Sequence, residues 1–303
     1  MSKKIILFLL LAGMAHSVIF PKTVPVTNKN LRSGLSLYNW VCTPDYILAT
    51  GCGASMKMGF KDTHRVELQL STSHMKFSSP DRFPIIAWSV NGGEWQSHQV
   101  IAGEQSVVLS SGIENPMIDL YIKGMSSYEN RYIGDIPENS LMITGIVVDD
   151  GGSVRKIKFP RKIWLDIGDS IMSGDAAAYA EGQGRPKDDR WACSDDARAC
   201  YGYLLANHYG YREARIAYGG YNWGRGMAQL PTLSVLIDSI TSTTSRLNHN
   251  KLCPSPDIVL INLGENGVPT MQSVTDALST LRNRIKKSAK IIVMTPVSGR
   301  ANA

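Results

Sequence analysis

The chain has 303 residues, of which 43% are hydrophobic and 19% charged, with a formal net charge of +6. That composition excludes wholesale disorder and leaves room for about two domains. No C-x-x-C, no H-E-x-x-H and no carboxylate cluster at ligand spacing occurs, so a metal site is not expected.

The first element is a leader. "MSKKIILFLLLAGMAHS" sets Lys3 and Lys4 before a short apolar run, and Ala15 and Ser17 supply an A-x-S cleavage pattern. The run is too short to cross a hydrocarbon core of about 30 Å, and no later segment is long and apolar enough to do so. Residues 1–17 therefore read as a signal peptide, with a secreted or periplasmic location and no membrane span expected.

Residues 24–152 read as short strands. "RVELQLSTS" alternates Val66, Leu68 and Leu70 with polar neighbours, the pattern of a half-buried strand. "FPIIAWSVNGGEW" follows, with Asn91-Gly92-Gly93 as a hairpin turn. "QSVVLSSG", "MIDLYIKGMS" and "SLMITGIVVDDGG" continue the series. No convincing amphipathic helix interrupts them, which predicts an antiparallel β-sandwich. Cys42 and Cys52 are spaced to close a small loop, Cys193 and Cys200 pair only if Cys193 precedes the helix, and Cys253 reads as a buried thiol. The basic run "RKIKFPRK" at 155–162 reads as a solvated linker, and nucleic acid is not the expected partner.

After Ile163 the rhythm changes. "KIWLDIG", "REARIAYGG", "PDIVLINLG" and "KIIVMTPVSG" read as four strands. "DDARACYGYLLANHYG" reads as a helix capped at Ser194 or Asp195 and stopped at Gly210. In "SVTDALSTLRNRIKKSA", Val274, Leu278, Leu281 and Ile285 share one helical face. Strands alternating with helices predict a parallel sheet covered on both faces, with ligands at the strands' C-terminal ends.

Three such ends carry unusual residues. Gly168-Asp169-Ser170 is either a helix cap or a turn that exposes a nucleophile. "IAYGGYNWGRG" is either a flexible turn or a close backbone approach to a ligand. In "VLINLGENG", Asn266 is either a turn former or an oxyanion donor.

In that order the three blocks resemble those of the SGNH (GDSL-type) hydrolases, over roughly residues 161–300. "IGDSIMSGD" is similar to the first block, "AYGGYNW" to the second and "LGENG" to the third, which usually reads G-x-N-D. The sandwich and linker ahead of "GDSI", with "GLSLYNWVCTPDYILATGCGASMKMGF" and "WSVNGGEWQ", resemble the second family of carbohydrate esterases. The resemblance implies a jelly-roll-like sandwich followed by a flavodoxin-like α/β/α domain at 161–303. It implies Ser170 as nucleophile, and the N–H groups of Ser170 and Gly220 with the Asn266 amide as oxyanion hole, Gly219 being the alternative to Gly220. Trp223 is a candidate sugar contact, and the implied partner is an acetylated polysaccharide or oligosaccharide, without a cofactor.

The family's last block, a D-x-x-H that supplies the base, has no counterpart before "TPVSGRANA". The hydrolase domain is therefore expected to be incomplete at its C-terminal side. His208 reads as a helix residue and His249 as a loop residue, while His64, His74 and His98 belong to the sandwich. Asp169 is expected to brace its turn. An esterase is the leading expectation, and a catalytically incomplete glycan-binding protein of the same fold is the alternative.

Overall fold

A computed structural model describes residues 21–178, 192–224, 226 and 229–294. The leader, the segment 179–191 and the "TPVSGRANA" end lie outside the described residues. The first part contains β1 (Pro21–Pro25), α1 (Lys29–Ser33), β2 (Trp40–Cys42), β3 (Ile47–Ala49), β4 (Ser55–Lys61) and β5 (Arg65–Ser71). It continues through β6 (Ile85–Val90), β7 (Trp95–Gln99), β8 (Ser106–Ser111), β9 (Met117–Gly124), β10 (Leu141–Asp149) and β11 (Ser153–Arg155). These strands form two antiparallel sheets. One runs β2-β3-β10-β5-β8 with β1 also on β10, and the other runs β11-β4-β9-β6-β7.

Alternation produces the sandwich core. In β5 every second residue is buried, so Val66, Leu68 and Leu70 face Met58, Ile86, Ile118 and Leu120 of the other sheet. Asn91 and Gly92 take positive φ values of 54° and 74° in the β6–β7 hairpin, as a tight primed turn requires. Helix α1, which the strand pattern did not suggest, is capped by the Asn28 side chain and anchored by fully buried Leu31.

The second part contains β12 (Ile163–Gly168), α2 (Ser170–Ser173), α3 (Tyr201–His208), β13 (Arg212–Ala217), α4 (Leu233–Asp238), β14 (Ile258–Asn262), α5 (Met271–Arg284) and β15 (Lys290–Met294). Its four strands are parallel in the order β13-β12-β14-β15. Leu165 and Ile167 face α4 and α5, while Trp164 faces the α3 side. The chain moves from β12 out to β13 and then returns past β12 to β14. That reversal creates a crevice at the C-terminal ends of β12 and β14.

Two expectations are corrected here. Helix α3 starts at Tyr201 with Cys200 as cap, not at Ser194 or Asp195. Its expected first turn is held between the two parts instead: the Ala197 N–H donates to Lys123 O of the sandwich at 3.0 Å, and Arg215 Nη1 of β13 donates to Ala197 O at 2.6 Å. Cys253 is exposed rather than buried, and all five cysteines are free thiols.

The two parts interlock. Leu37 forms a parallel bridge with Ala214 on the outer edge of β13. Tyr38 and Tyr132 pack in the core of the parallel sheet, and Ala197 packs in that of the sandwich. Arg246, buried, donates to the carbonyl oxygens of Tyr38, Leu236 and Ser239. Among the described residues no helix is long and apolar enough to cross a membrane.

Candidate active site

The buried strand β12 leads directly into the one-turn helix α2. Asp169 caps that turn, its Oδ1 accepting the Ile171 N–H at 3.0 Å. It braces the turn as expected. Ser170 follows as the first helical residue and is only half-buried. Neither its N–H nor its hydroxyl has a hydrogen-bond partner among the described residues.

On the neighbouring strand, the Tyr218 N–H donates to Gly168 O at 3.2 Å, which ties the end of β13 to that of β12. A turn follows in which the Tyr221 N–H donates to Tyr218 O at 3.2 Å. Gly220 occupies its third position with φ 71°, a conformation that strongly favours glycine. The Gly220 N–H also lacks a partner among the described residues. The doubled glycine has a second cause in Gly219, where a Cβ would lie 2.1 Å from Ser127 Oγ and 2.3 Å from Asp175 Oδ2.

The third strand end closes over the other two. Asn266 is exposed, and its Nδ2 donates to Tyr221 O at 3.0 Å and to Asp169 Oδ2 at 3.3 Å. Asn222 Nδ2 donates in return to Asn266 O at 3.3 Å. The three blocks separated along the chain are thus joined side by side. Trp223 is also brought here but is only 4% exposed, packed in the core of the parallel sheet, so its ring face is covered in this conformation.

Carboxylates crowd the floor beneath Ser170. Burial pushes the Asp169 carboxyl up to about 6, the Ile171 N–H opposes the shift, and the charges of Glu265 and Asp175 add to it. Asp175 accepts from Ser173 Oγ and, at 2.9 Å, from Ser127 Oγ of the sandwich. Asp195 is pushed up to about 8, first by burial and then by the charge of Asp175. Buried Arg131 reaches this floor from the sandwich, its guanidinium 4.9 Å over the Tyr218 ring. The sequence reading missed this cluster. Asp175 stood in the quoted first block, but Ser127 and Arg131 lie in another part of the chain and carry no local pattern.

No described histidine joins the site. His208 ends α3 and His249 lies between α4 and β14, so both sit where the chain enters the strands, at the end opposite Ser170. His74 Nε2 is 3.0 Å from Ser140 Oγ, and His98 Nε2 is 2.8 Å from Glu104 Oε1, both within the sandwich. His64 is exposed in the β4–β5 turn. Among the described residues no group of His, Cys, Asp or Glu is arranged to hold a metal ion.

No family model and no curated protein matches the sequence. Solved structures do match the fold. A family two carbohydrate esterase from Cellvibrio japonicus superposes with a TM-score of 0.71 at 16% identity, covering 91% of this chain and 79% of that one. An acetyl xylan esterase from the rumen bacterium Butyrivibrio proteoclasticus gives 0.67 at 16% identity, covering 90% and 81%. A family two carbohydrate esterase from Clostridium thermocellum, in complex with cellohexaose, gives 0.66 at 16% identity, covering 86% and 76%. The chain therefore has the sandwich-plus-parallel-sheet fold of these solved structures.

Proposed function

We propose that the chain is an exported serine esterase that removes O-acetyl groups from glycans. The observation that carries this reading is a Ser170 hydroxyl and two N–H groups, of Ser170 and Gly220, that have no hydrogen-bond partner among the described residues, at the reversal point of a fold found in carbohydrate esterases. In this reading Ser170 attacks the acetyl carbonyl, the ester C–O bond breaks and the sugar leaves as an alcohol with the proton the serine gives up; water then cleaves the acetyl-enzyme to acetate and free Ser170. The oxyanion is held by the N–H of Ser170, the N–H of Gly220 and the amide of Asn266. Of the two bonds the Asn266 amide makes, the 3.3 Å one to Asp169 is the longer and is the one the oxyanion replaces. Residues 24–152 serve as the sandwich and 161–303 as the catalytic part, with export directed by the leader at 1–17.

The general base is unassigned, since a serine without imidazole loses most of its reactivity and no described histidine stands at these strand ends. That observation favours a second reading, a glycan-binding protein of the same fold without turnover. The test is p-nitrophenyl acetate hydrolysis by the chain and by Ser170→Ala, each with and without added imidazole. Turnover or imidazole rescue that disappears in Ser170→Ala supports the esterase. Equal rates in both proteins under both conditions leave the binding reading.

A further inference from the structure

Tryptophans are buried almost throughout this fold: Trp40, Trp88, Trp164 and Trp223 are 4–8% exposed. Among the described tryptophans Trp95 is the exception at 49%. It opens β7, the outer strand of its sheet, and Gln96 and Ser97 follow it along that edge.

The ring is nevertheless fixed. Tyr121 meets it edge-on, with centroids 5.3 Å apart and planes at 83°. The Arg198 guanidinium lies 4.5 Å over Trp95, 4.3 Å over Tyr121 and 5.1 Å over Tyr203. Arg198 is itself held by Asp119 at 2.7 Å. Asp196 Oδ1 accepts from Tyr121 OH and from the Arg198 N–H, both at 3.0 Å. A half-exposed indole in a rigid setting gives up little side-chain freedom when something stacks on it.

The rings border a cavity of about 370 Å³ whose lining includes Gln96, Lys123 and Asp196. That volume lies at the small end of ligand-sized sites, about 300–1,000 Å³. The chemistry of the lining narrows the occupant. Arg198 covers one face of Trp95, which leaves the rest of the half-exposed ring open, and a cationic ligand there would meet a like charge. Asp119 and Asp196 balance Arg198 and Lys123, so the site offers no net attraction for an anion. What remains is a neutral molecule with one apolar face and a rim of hydroxyl groups. A pyranose ring has that character, its C–H face suited to the indole and its hydroxyls to Gln96, Lys123 and Asp196.

We propose that Trp95, Tyr121, Tyr203 and Arg198 form a neutral-sugar-binding platform separate from the Ser170 site. The choice of a sugar rests on the glycan reading given above. Asp196, beside the platform, donates its N–H to Gly174 O at 2.9 Å, which ties the platform to the end that carries Ser170. Gly174 ends α2 and Ser170 begins it, so the connecting helix rises only about 6 Å. A glycan gripped on the sandwich would be presented beside the nucleophile rather than at a distant module.

The test titrates cellohexaose and, separately, xylohexaose into the wild-type chain, Ser170→Ala, Trp95→Ala and Trp95→Phe. Calorimetry gives the affinity, and p-nitrophenyl acetate turnover is measured in parallel. At least one hexasaccharide should bind wild type and Ser170→Ala equally. Trp95→Ala should weaken binding about tenfold or more, equivalent to about 1.4 kcal/mol. Trp95→Phe, which keeps a smaller ring, should fall between, and aryl acetate turnover should match wild type in both Trp95 variants. Binding unchanged in Trp95→Ala overturns the proposal. So does failure of both hexasaccharides to bind wild type at about 5 mM, where a millimolar Kd would show. Trp95-dependent sugar binding in a chain without turnover would sink the esterase reading alone and leave the platform standing.

Discussion

Gly219→Ala probes the contact that brings the sandwich against the floor of the candidate active site. A Cβ there would lie 2.1 Å from Ser127 Oγ and 2.3 Å from Asp175 Oδ2, where ordinary contact begins at 3.4 Å. Those two oxygens are joined to each other at 2.9 Å, and Asp175 is held again by Ser173, so neither swings away freely. Admitting the methyl breaks the Ser127–Asp175 bond, worth about 1.5–3 kcal/mol for a charged acceptor. It adds about 1–3 kcal/mol of overpacking, for a total of about 2.5–6 kcal/mol. Ser127→Ala alone should cost about 1.5–3 kcal/mol. In the double variant that bond is lost once rather than twice, and the methyl enters space vacated by the hydroxyl. Its cost should fall short of the sum by at least about 1.5 kcal/mol. Denaturant melts followed by circular dichroism give the four stabilities, and Gly51→Ala serves as control because the nearest atom to its added Cβ is 3.8 Å away. Additivity within about 0.5 kcal/mol, or a Gly219→Ala as mild as the control, would refute the reasoning.

The raised carboxyl of Asp195 links stability to pH. With its value near 8 in the fold and near 4 in the unfolded chain, the folded protein binds the extra proton, so stability falls as pH rises between about 4 and 8. Asp195→Asn keeps the Oδ1 that accepts from the Ala176 N–H and Ser194 Oγ. It should be more stable than wild type at the alkaline end of that window and flatten the slope, whereas an unchanged slope counts against the assignment. Ellman's reagent should titrate three thiols in the native protein, Cys42, Cys193 and Cys253, and all five after denaturation without reductant. Fewer than five in the denatured sample would reveal a disulfide. Asn266→Ala should lower kcat on p-nitrophenyl acetate by about 10²- to 10³-fold while leaving the melting temperature nearly unchanged, because the residue is exposed. A drop of less than tenfold would remove Asn266 from the oxyanion hole.

Features set by neighbouring residues were legible in the sequence. The apolar run ending at Gly168 is β12, and the alternation of Val66, Leu68 and Leu70 is β5. The face through Val274, Leu278, Leu281 and Ile285 packs on the parallel sheet, and Thr270 closes the helix start with a capping box. The order of Ser170, Gly220 and Asn266 placed them on three adjoining strand ends. Features set by distant partners were not legible. Residues 195–199 have helical spacing, yet Lys123 and Arg215 hold them out of α3. Helices α1 and α4 span only five and six residues, too short for a periodic signal to develop. Trp223 sits in a glycine-rich loop that suggests exposure, and only the packing of the parallel sheet determines that its ring is covered. Ser127 and Arg131 enter the floor of the candidate site from the sandwich, for which no spacing rule exists.

The interlocking of the two parts bears on how such a protein can be inherited. A detachable module needs a seam that parts without opening a core. Here the pieces that would separate at residues 155–162 exchange core residues: Tyr38 and Tyr132 pass one way, and Ala197 the other. Leu37 also covers the edge of β13, which would otherwise be open to pairing with another chain. Recombination at the basic segment would therefore leave each product with a hollow, and the one that holds β13 with a sticky strand. The sandwich cannot be lent to an unrelated enzyme, and the two parts must diverge together, each substitution at the seam judged by what stands across it.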